Sequence, residues 1–287
     1  MMMSFQFFAW VASILFAVES IQTKFVSKHK IQNPWLFNFV WLLFLLFFNT
    51  IVCLSSGAGI PDAWGNIILV GLFFAIGLNL FTLANYRMDV SILTPLSNSQ
   101  TIFAIILGML FLNEHLSAWQ SGLIGIMIVA GIIVTIDEKF SIKSFFNKGV
   151  TMCLASMLSF ALMAMFFKKA STEVPFWTLN LWYFFSATVF TTLTIPFFKK
   201  DIKTLDKNQL SNVSLLALVG VLANLAANKA YTANISISTA ITSIPLSMAI
   251  VILIAPFFPK LSEHHTWKVY LVRIIAAVVL VYAGLKL

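Results

Sequence analysis

Glu19 is a carboxylate inside an apolar run. The stretch from Phe5 to Thr23 holds no other charge, and Glu19 lies about five residues, roughly 7 Å of helix, before Lys24. An ionisable side chain costs about 3 kcal/mol at the centre of a hydrocarbon layer, so Glu19 is expected to face protein or a wet cavity. Two chemistries fit it: carrying a proton, or pairing with a cationic group. A structural partnership with a lysine fits the residue type equally well.

A set of amides and hydroxyls is the second signal. Asn224, Asn228 and Tyr231 fall at i, i+4 and i+7, which is one helical face. Thr94, Asn98 and Thr101 follow the same spacing, and Ser238 and Thr242 share a face. Such groups either meet a polar ligand or tie helices together, the latter at about 0.6 kcal/mol each. For Asn98, Gln100 and Asn228 the ligand-facing reading is preferred. The candidate substrate contacts are therefore Glu19, Asn38, Asn79, Asn98, Gln100, Asn180, Asn224, Asn228 and Thr242, with Glu19 also the candidate for coupling. Lys229 and Arg273 stand near helix ends, where long cationic side chains reach for the interface. Trp35, Trp41, Trp177, Trp182 and Tyr183 read as interface anchors or packing. Glu114-His115 and Glu263-His264-His265 resemble metal ligands at first sight but read as polar helix ends, so no metal is expected. No zinc-protease, nucleophile-elbow, phosphate-loop or dinucleotide signature occurs, and no cofactor is expected.

These groups need a scaffold, and the composition says which kind. Apolar residues make up 60% and charged residues 10%, with a mean hydropathy of +0.95. A soluble domain would be about 25% charged. The chain is expected to be an all-α integral membrane protein. Its net charge of +8 comes from lysines between apolar spans, where membrane topology places them, so no nucleic acid is expected as a partner. Cys53 and Cys153 lie inside apolar spans and read as small buried residues. The first span lacks a positive leader and a cleavage site, so it reads as a retained helix.

Ten spans of about 20 residues can be counted, the length a bilayer demands of a helix. They are close to 5–23, 34–54, 66–84, 90–112, 119–136, 150–167, 176–198, 210–230, 235–258 and 267–287. They repeat. The stretch from Asn79 to Glu114 recurs from Asn224 to Glu263: Asn-Leu starts both, Tyr86 matches Tyr231, Val90-Ser91-Ile92 matches Ile235-Ser236-Ile237, and Glu-His ends both. Phe16-Ala17 and Lys24 match Phe160-Ala161 and Lys168, and Trp35 and Asn38 match Trp177 and Asn180. Residues 1–138 form one five-helix repeat and 149–287 a second, joined by a charged linker at 139–148. Five spans is an odd number, so the second repeat must enter the membrane inverted. That architecture is typical of secondary transporters, whose substrate site lies near the midplane where the repeats meet.

Five plus five spans, the Leu-x-Glu ending of each fourth helix (LNEHLS at 112–117, LSEHH at 261–265) and the Tyr before it resemble the drug/metabolite transporter superfamily, in its EamA-like branch. The resemblance covers nearly the whole chain. It implies a carrier that alternates access between its halves, with a central cavity lined mainly by helices one to four of each repeat. The family often has a proline in the middle of the fourth helix; Pro245 keeps it in the second repeat, and Gln100 replaces it in the first.

The function expected is secondary active transport of a small polar organic metabolite, driven by protons or by exchange, and not an enzyme. The spans hold no basic cluster for a phosphorylated substrate. An intramembrane enzyme acting on lipid is the alternative, but all four His fall in connectors. A non-transporting scaffold is another, and it predicts polar faces packed helix to helix. Membrane lipid is a further partner, and the chain is a monomer or homodimer. A multi-pass location in the cell (plasma or inner) membrane is expected. The lysine distribution places both termini outside and the resemblance implies the cytoplasm; both put the termini on one side.

Overall fold

The computed structural model describes residues 4–29, 31–87, 96–135, 148–244, 246, 250 and 267–287. Among these residues the chain is helical: α1 (Phe5–His29), α2 (Pro34–Ser55), α3 (Gly65–Arg87), α4 (Ser99–Phe111), α5 (Ala118–Thr135), α6 (Lys148–Ala170), α7 (Phe176–Thr192), α8 (Lys207–Tyr231), α9 (Ile235–Thr242) and α10 (Trp267–Lys286). Five of them, α1, α2, α3, α6 and α8, are long and apolar enough to cross a membrane. The protein is a multi-pass membrane protein.

The helix starts are written locally. Asn33 caps α2, its side-chain oxygen accepting from the N–H groups of Trp35 (3.0 Å) and Leu36 (3.4 Å), and Pro34 takes the first helical position. Asp206 and Gln209 close a capping box at α8. Asn234 accepts from Ile237 N–H at 2.8 Å and starts α9.

Three expectations shift. The seventh span was expected to run from 176 to 198, but α7 stops at Thr192 and a 3₁₀ turn, Ile195–Phe197, follows. Pro196 lies in that turn; it has no N–H to continue an α-helix. The helix of the sixth span begins at Lys148, which the sequence placed in the linker; the linker's remaining residues lie outside the described ones. His29 closes α1 and is not in a connector.

The fourth helix of each half is interrupted. α4 starts at Ser99 after a turn at Asn98, with residues 96 and 97 helical before it. α9 ends at Thr242 and the chain turns at Ser243 and Ile244, just before Pro245. A residue before proline is pushed away from helical backbone, which accounts for the second break.

Packing is reciprocal between the halves. α1 packs on α8 and α3 on α6; α2 packs on α7, α4 on α9 and α5 on α10. Counting helices within each half, the main contacts of the first half with the second come in mirrored pairs. The largest core cluster draws on both halves, with Phe74 edge-on to Phe160, Tyr183 and Phe184. α3 and α7 cross closely at Gly71: a Cβ there would lie 2.6 Å from the Ser186 side chain and 2.8 Å from the Ala187 backbone nitrogen.

The ends of the helices form two groups. Asn33 donates to Asp201 at 2.6 Å, Tyr86 donates to the Ile31 carbonyl at 2.8 Å, and Arg87 contacts Met152 at 3.4 Å. Elsewhere, Asn66 donates to Glu173, Trp182 donates to the Gly59 carbonyl at 2.7 Å, and Glu114 meets Lys168.

Candidate functional site

Where α4 crosses α9, the two interruptions face each other. The Thr101 hydroxyl lies 3.1 Å from the Ser243 hydroxyl and 3.4 Å from the Thr239 carbonyl. Asn98, Thr101, Ala240, Ser243 and Ile244 line a half-open hollow there, about large enough for one water, with Met127, Ile128 and Leu280 completing its wall. Asn98 is 7% exposed, and its amide nitrogen has no hydrogen-bond partner among the described residues. A buried N–H without a partner costs about 1–3 kcal/mol, so such a group points to a ligand or a water. One turn away, the Tyr231 hydroxyl lies beside Gln100 and Thr242. The structure thus brings Asn98, Gln100 and Thr242 into one polar seam and adds Tyr231, which was not among the candidates. Its place on the Asn224–Asn228 face and its match with Tyr86 were the available signals.

Glu19 meets the same face of α8, about three turns before Tyr231. A Cβ on Gly220 would lie 3.0 Å from a Glu19 carboxylate oxygen and 3.2 Å from the Trp41 ring. Gly220 is the notch that seats the carboxylate against α2. Glu19 makes no hydrogen bond or ion pair with any described residue, so the alternative of a structural lysine partner finds no support among them. The Trp41 indole N–H is likewise buried and without a described partner.

The asparagines on α2, α3, α7 and α8 do different work. Asn38 donates to Asn79 (3.2 Å) and accepts from Thr82 (2.8 Å), tying α2 to α3. Asn228 donates to Asn180 (2.7 Å) and Tyr183 (2.9 Å), tying α7 to α8. Asn79 and Asn224 each donate to the carbonyl four residues earlier, Ala75 and Gly220, both at 2.8 Å. Asn38, Asn180 and Asn228 are all but fully buried. These are interhelical struts, and only the Asn228 side-chain oxygen is left unpaired among them.

The sequence reads Glu114 as a polar helix end; the structure connects it much further. Asn113 adopts left-handed backbone (φ 51°), a conformation asparagine tolerates, and this turns the chain back at the end of α4. Glu114 then reaches the start of α9. One carboxylate oxygen accepts from Lys168 Nζ and Ile235 N–H, both at 2.7 Å; the other accepts from the Ser236 hydroxyl (2.6 Å) and Ser236 N–H (3.1 Å). Lys168 also donates to the Ala233 carbonyl at 2.8 Å. Gly108 makes room: a Cβ there would lie 2.7 Å from the carboxylate and 2.8 Å from the Ser236 hydroxyl.

Burial alone would raise the Glu114 pKa. The Lys168 ammonium, the Ser236 hydroxyl and the two N–H groups outweigh it and hold the carboxyl below its ordinary value. A folded-state pKa below the unfolded one adds stability that is complete above the ordinary value, about 4.3, and is lost as pH falls through the folded-state value. The melting temperature of the wild type is therefore expected to exceed that of E114Q by a constant margin from neutral pH to about 5, and the margin shrinks below about 4. A margin independent of pH down to 3 would refute the ionised contact.

At the neighbouring helix ends, Lys169 lies over the Phe111 ring at 5.6 Å and Lys229 over Phe176 at 5.1 Å. Lys229 thus rests on an aromatic ring at the helix end, and Trp35 stacks on Phe197 at 5.1 Å. No group of three or more His, Cys, Asp or Glu is placed to hold a metal among the described residues; Glu263, His264 and His265 lie outside them.

The model of the EamA-like transporter family matches residues 3–136 and 147–283. No curated protein matches the sequence. Among solved structures 28 chains match; one, titled only as the crystal structure of a protein, superposes with a TM-score of 0.75 at 11% identity, covering 98% of this chain and 94% of that one. That likeness is one of fold.

Proposed function

The chain belongs to the EamA-like transporter family, and from that premise we propose that it is a secondary active transporter carrying a small polar organic metabolite by alternating access. Ten spans in two inverted halves are the frame. The reciprocal helix pairing supports a two-fold relation between the halves. The grouping of helix ends supports inversion: α1 ends near Ile31, which Tyr86 of α3 reaches, and α6 begins near Met152, which Arg87 of α3 reaches. The second half thus starts on the side where the first helix of the first half finishes.

The substrate site lies on the seam where the interrupted fourth helices cross. Broken helices at the membrane midplane expose backbone and side-chain polar groups to a bound solute. The observation that carries this reading is Asn98, buried, unpartnered and lining the hollow at that crossing. Gln100, Tyr231 and Thr242 supply further hydrogen-bonding groups beside it. Glu19, seated over Gly220, is the coupling or cation-binding carboxylate.

A panel of amino acids, polyols, sugars, amines, nucleosides and organic acids, screened for thermal stabilisation of the purified protein, tests this. A ligand that binds only the folded state stabilises it by about 2.7 kcal/mol at a hundred times its Kd. One class is expected to raise the melting temperature in the wild type and not in N98A or Q100A. A class that stabilises both variants as well as the wild type would move the site elsewhere, and a flat panel together with flat uptake in proteoliposomes would refute the carrier.

A further inference from the structure

Glu114 joins three pieces of chain: it follows α4 of the first half and holds the end of α6 and the first turn of α9, both of the second half. The pair it forms with Lys168 is the only ion pair among the described residues. The sequence carries the same three residue types at the repeat-equivalent positions, Glu263 for Glu114, Lys24 for Lys168 and Ser91 for Ser236. In the sequence, each half therefore has a glutamate, a lysine and a serine at matching repeat positions. A brace needed at one end of the molecule has no reason to be written twice.

The chemistry suits a contact that opens. A buried ion pair contributes little net stability, because the loss of hydration offsets the attraction. Parting the charges into a water-filled vestibule restores that hydration, so the closed and open arrangements lie near balance. Apolar packing at the same place would hold more firmly and would be costly to open to water. Closely packed interfaces of this kind switch between discrete arrangements instead of deforming gradually.

Resting on the alternating-access reading, we infer that Glu114 and Lys168 are the gating pair that holds shut the membrane face where α4 ends, by binding the first turn of α9 to α6, and that this contact parts and re-forms in each transport cycle. Asn113 and Gly108 are its local supports, the first by turning the chain, the second by leaving the volume the carboxylate fills.

Ser238 reports on the gate. It lies on α9 two residues beyond Ser236 and is fully buried. With Cys53 and Cys153 replaced by Ala, the S238C protein in sealed vesicles is treated with a membrane-impermeant maleimide from one face at a time. Labelling from the face where α4 ends is expected to be slow in the parent, about ten-fold faster with E114Q or K168M added, and slow with K168R. G77A, which presses on the Phe160 ring away from the gate, serves as a control for general loosening. Equal labelling of parent, folded E114Q and folded K168M overturns the inference. So does acceleration by G77A to the same extent. K168M leaves the glutamate on the α9 N–H groups, so the test survives if E114Q fails to fold. The readout needs no substrate: failure here leaves the transport reading standing, and failure of that reading appears in the ligand panel.

Discussion

E114A is expected to destabilise the purified protein by about 3 kcal/mol or more, measured by denaturant or heat in detergent. The carboxylate takes four hydrogen bonds, and its removal strands the Lys168 ammonium and the Ile235 and Ser236 N–H groups together. Removing one partner of a buried pair typically costs about 3–5 kcal/mol, because the other charge is left unpaired. Lys168 is 18% exposed and keeps the Ala233 carbonyl, which places the loss at the lower end of that range. K168M is expected to cost less than E114A, since the glutamate still caps α9. The double variant E114A/K168M is expected to be less destabilised than the sum of the two, as contacting residues couple. Additive losses would mean that the two side chains act independently and that the pair is incidental.

G71V is expected to be the most damaging substitution of a small residue, lowering stability by about 3 kcal/mol. Gly71 is where α3 of the first half touches α7 of the second. A Cβ would meet both the Ser186 side chain and the Ala187 backbone nitrogen at distances no real contact sustains. A flexible side chain can swing aside, but a helix backbone cannot, so α3 and α7 must separate. Separation loosens the aromatic cluster of Phe74, Tyr183 and Phe184 behind them. S186G in the same protein is expected to recover part of the loss and leave the remainder due to the backbone. A G71V protein with wild-type melting temperature would show that the crossing is looser than described.

Much of the architecture was written in short-range signals. Apolar runs, Asn33-Pro34 and the Asp206–Gln209 pair set helix starts by local chemistry, and local chemistry can be read along a chain. The repeat was legible because Asn-Leu, Tyr and Val/Ile-Ser-Ile recur in order. What could not be read was which polar groups would find partners. Asn38 and Asn98 look alike in sequence, both amides in apolar stretches. Asn38 ends between Asn79 and Thr82, while Asn98 ends at a helix break with its nitrogen unpaired. The difference is tertiary. Pro95, three residues before Asn98, and Pro245, just after Ile244, were the signals for the two breaks. Glu114 was undervalued for a similar reason: its partners are 54 and 121 to 122 residues away. The matching of Lys24 with Lys168 and of Glu114 with Glu263 was the trace of that contact in the sequence.

The reciprocal pairing of helices has a consequence for how the protein is made. α1 packs chiefly on α8, and α3 chiefly on α6. At a synthesis rate of about 5–20 residues per second, the roughly 200 residues between the end of α1 and the end of α8 take on the order of 10–40 s to emerge. Through much of that interval the nascent first half sits in the lipid with its principal partners unmade or incomplete. Its notch-seating carboxylate, Glu19, must be shielded by lipid headgroups, water or the insertion machinery until Gly220 arrives. Quality control in the membrane therefore meets this chain as a half-built object for most of its synthesis, and variants that weaken the first half are expected to be degraded before the second half can rescue them.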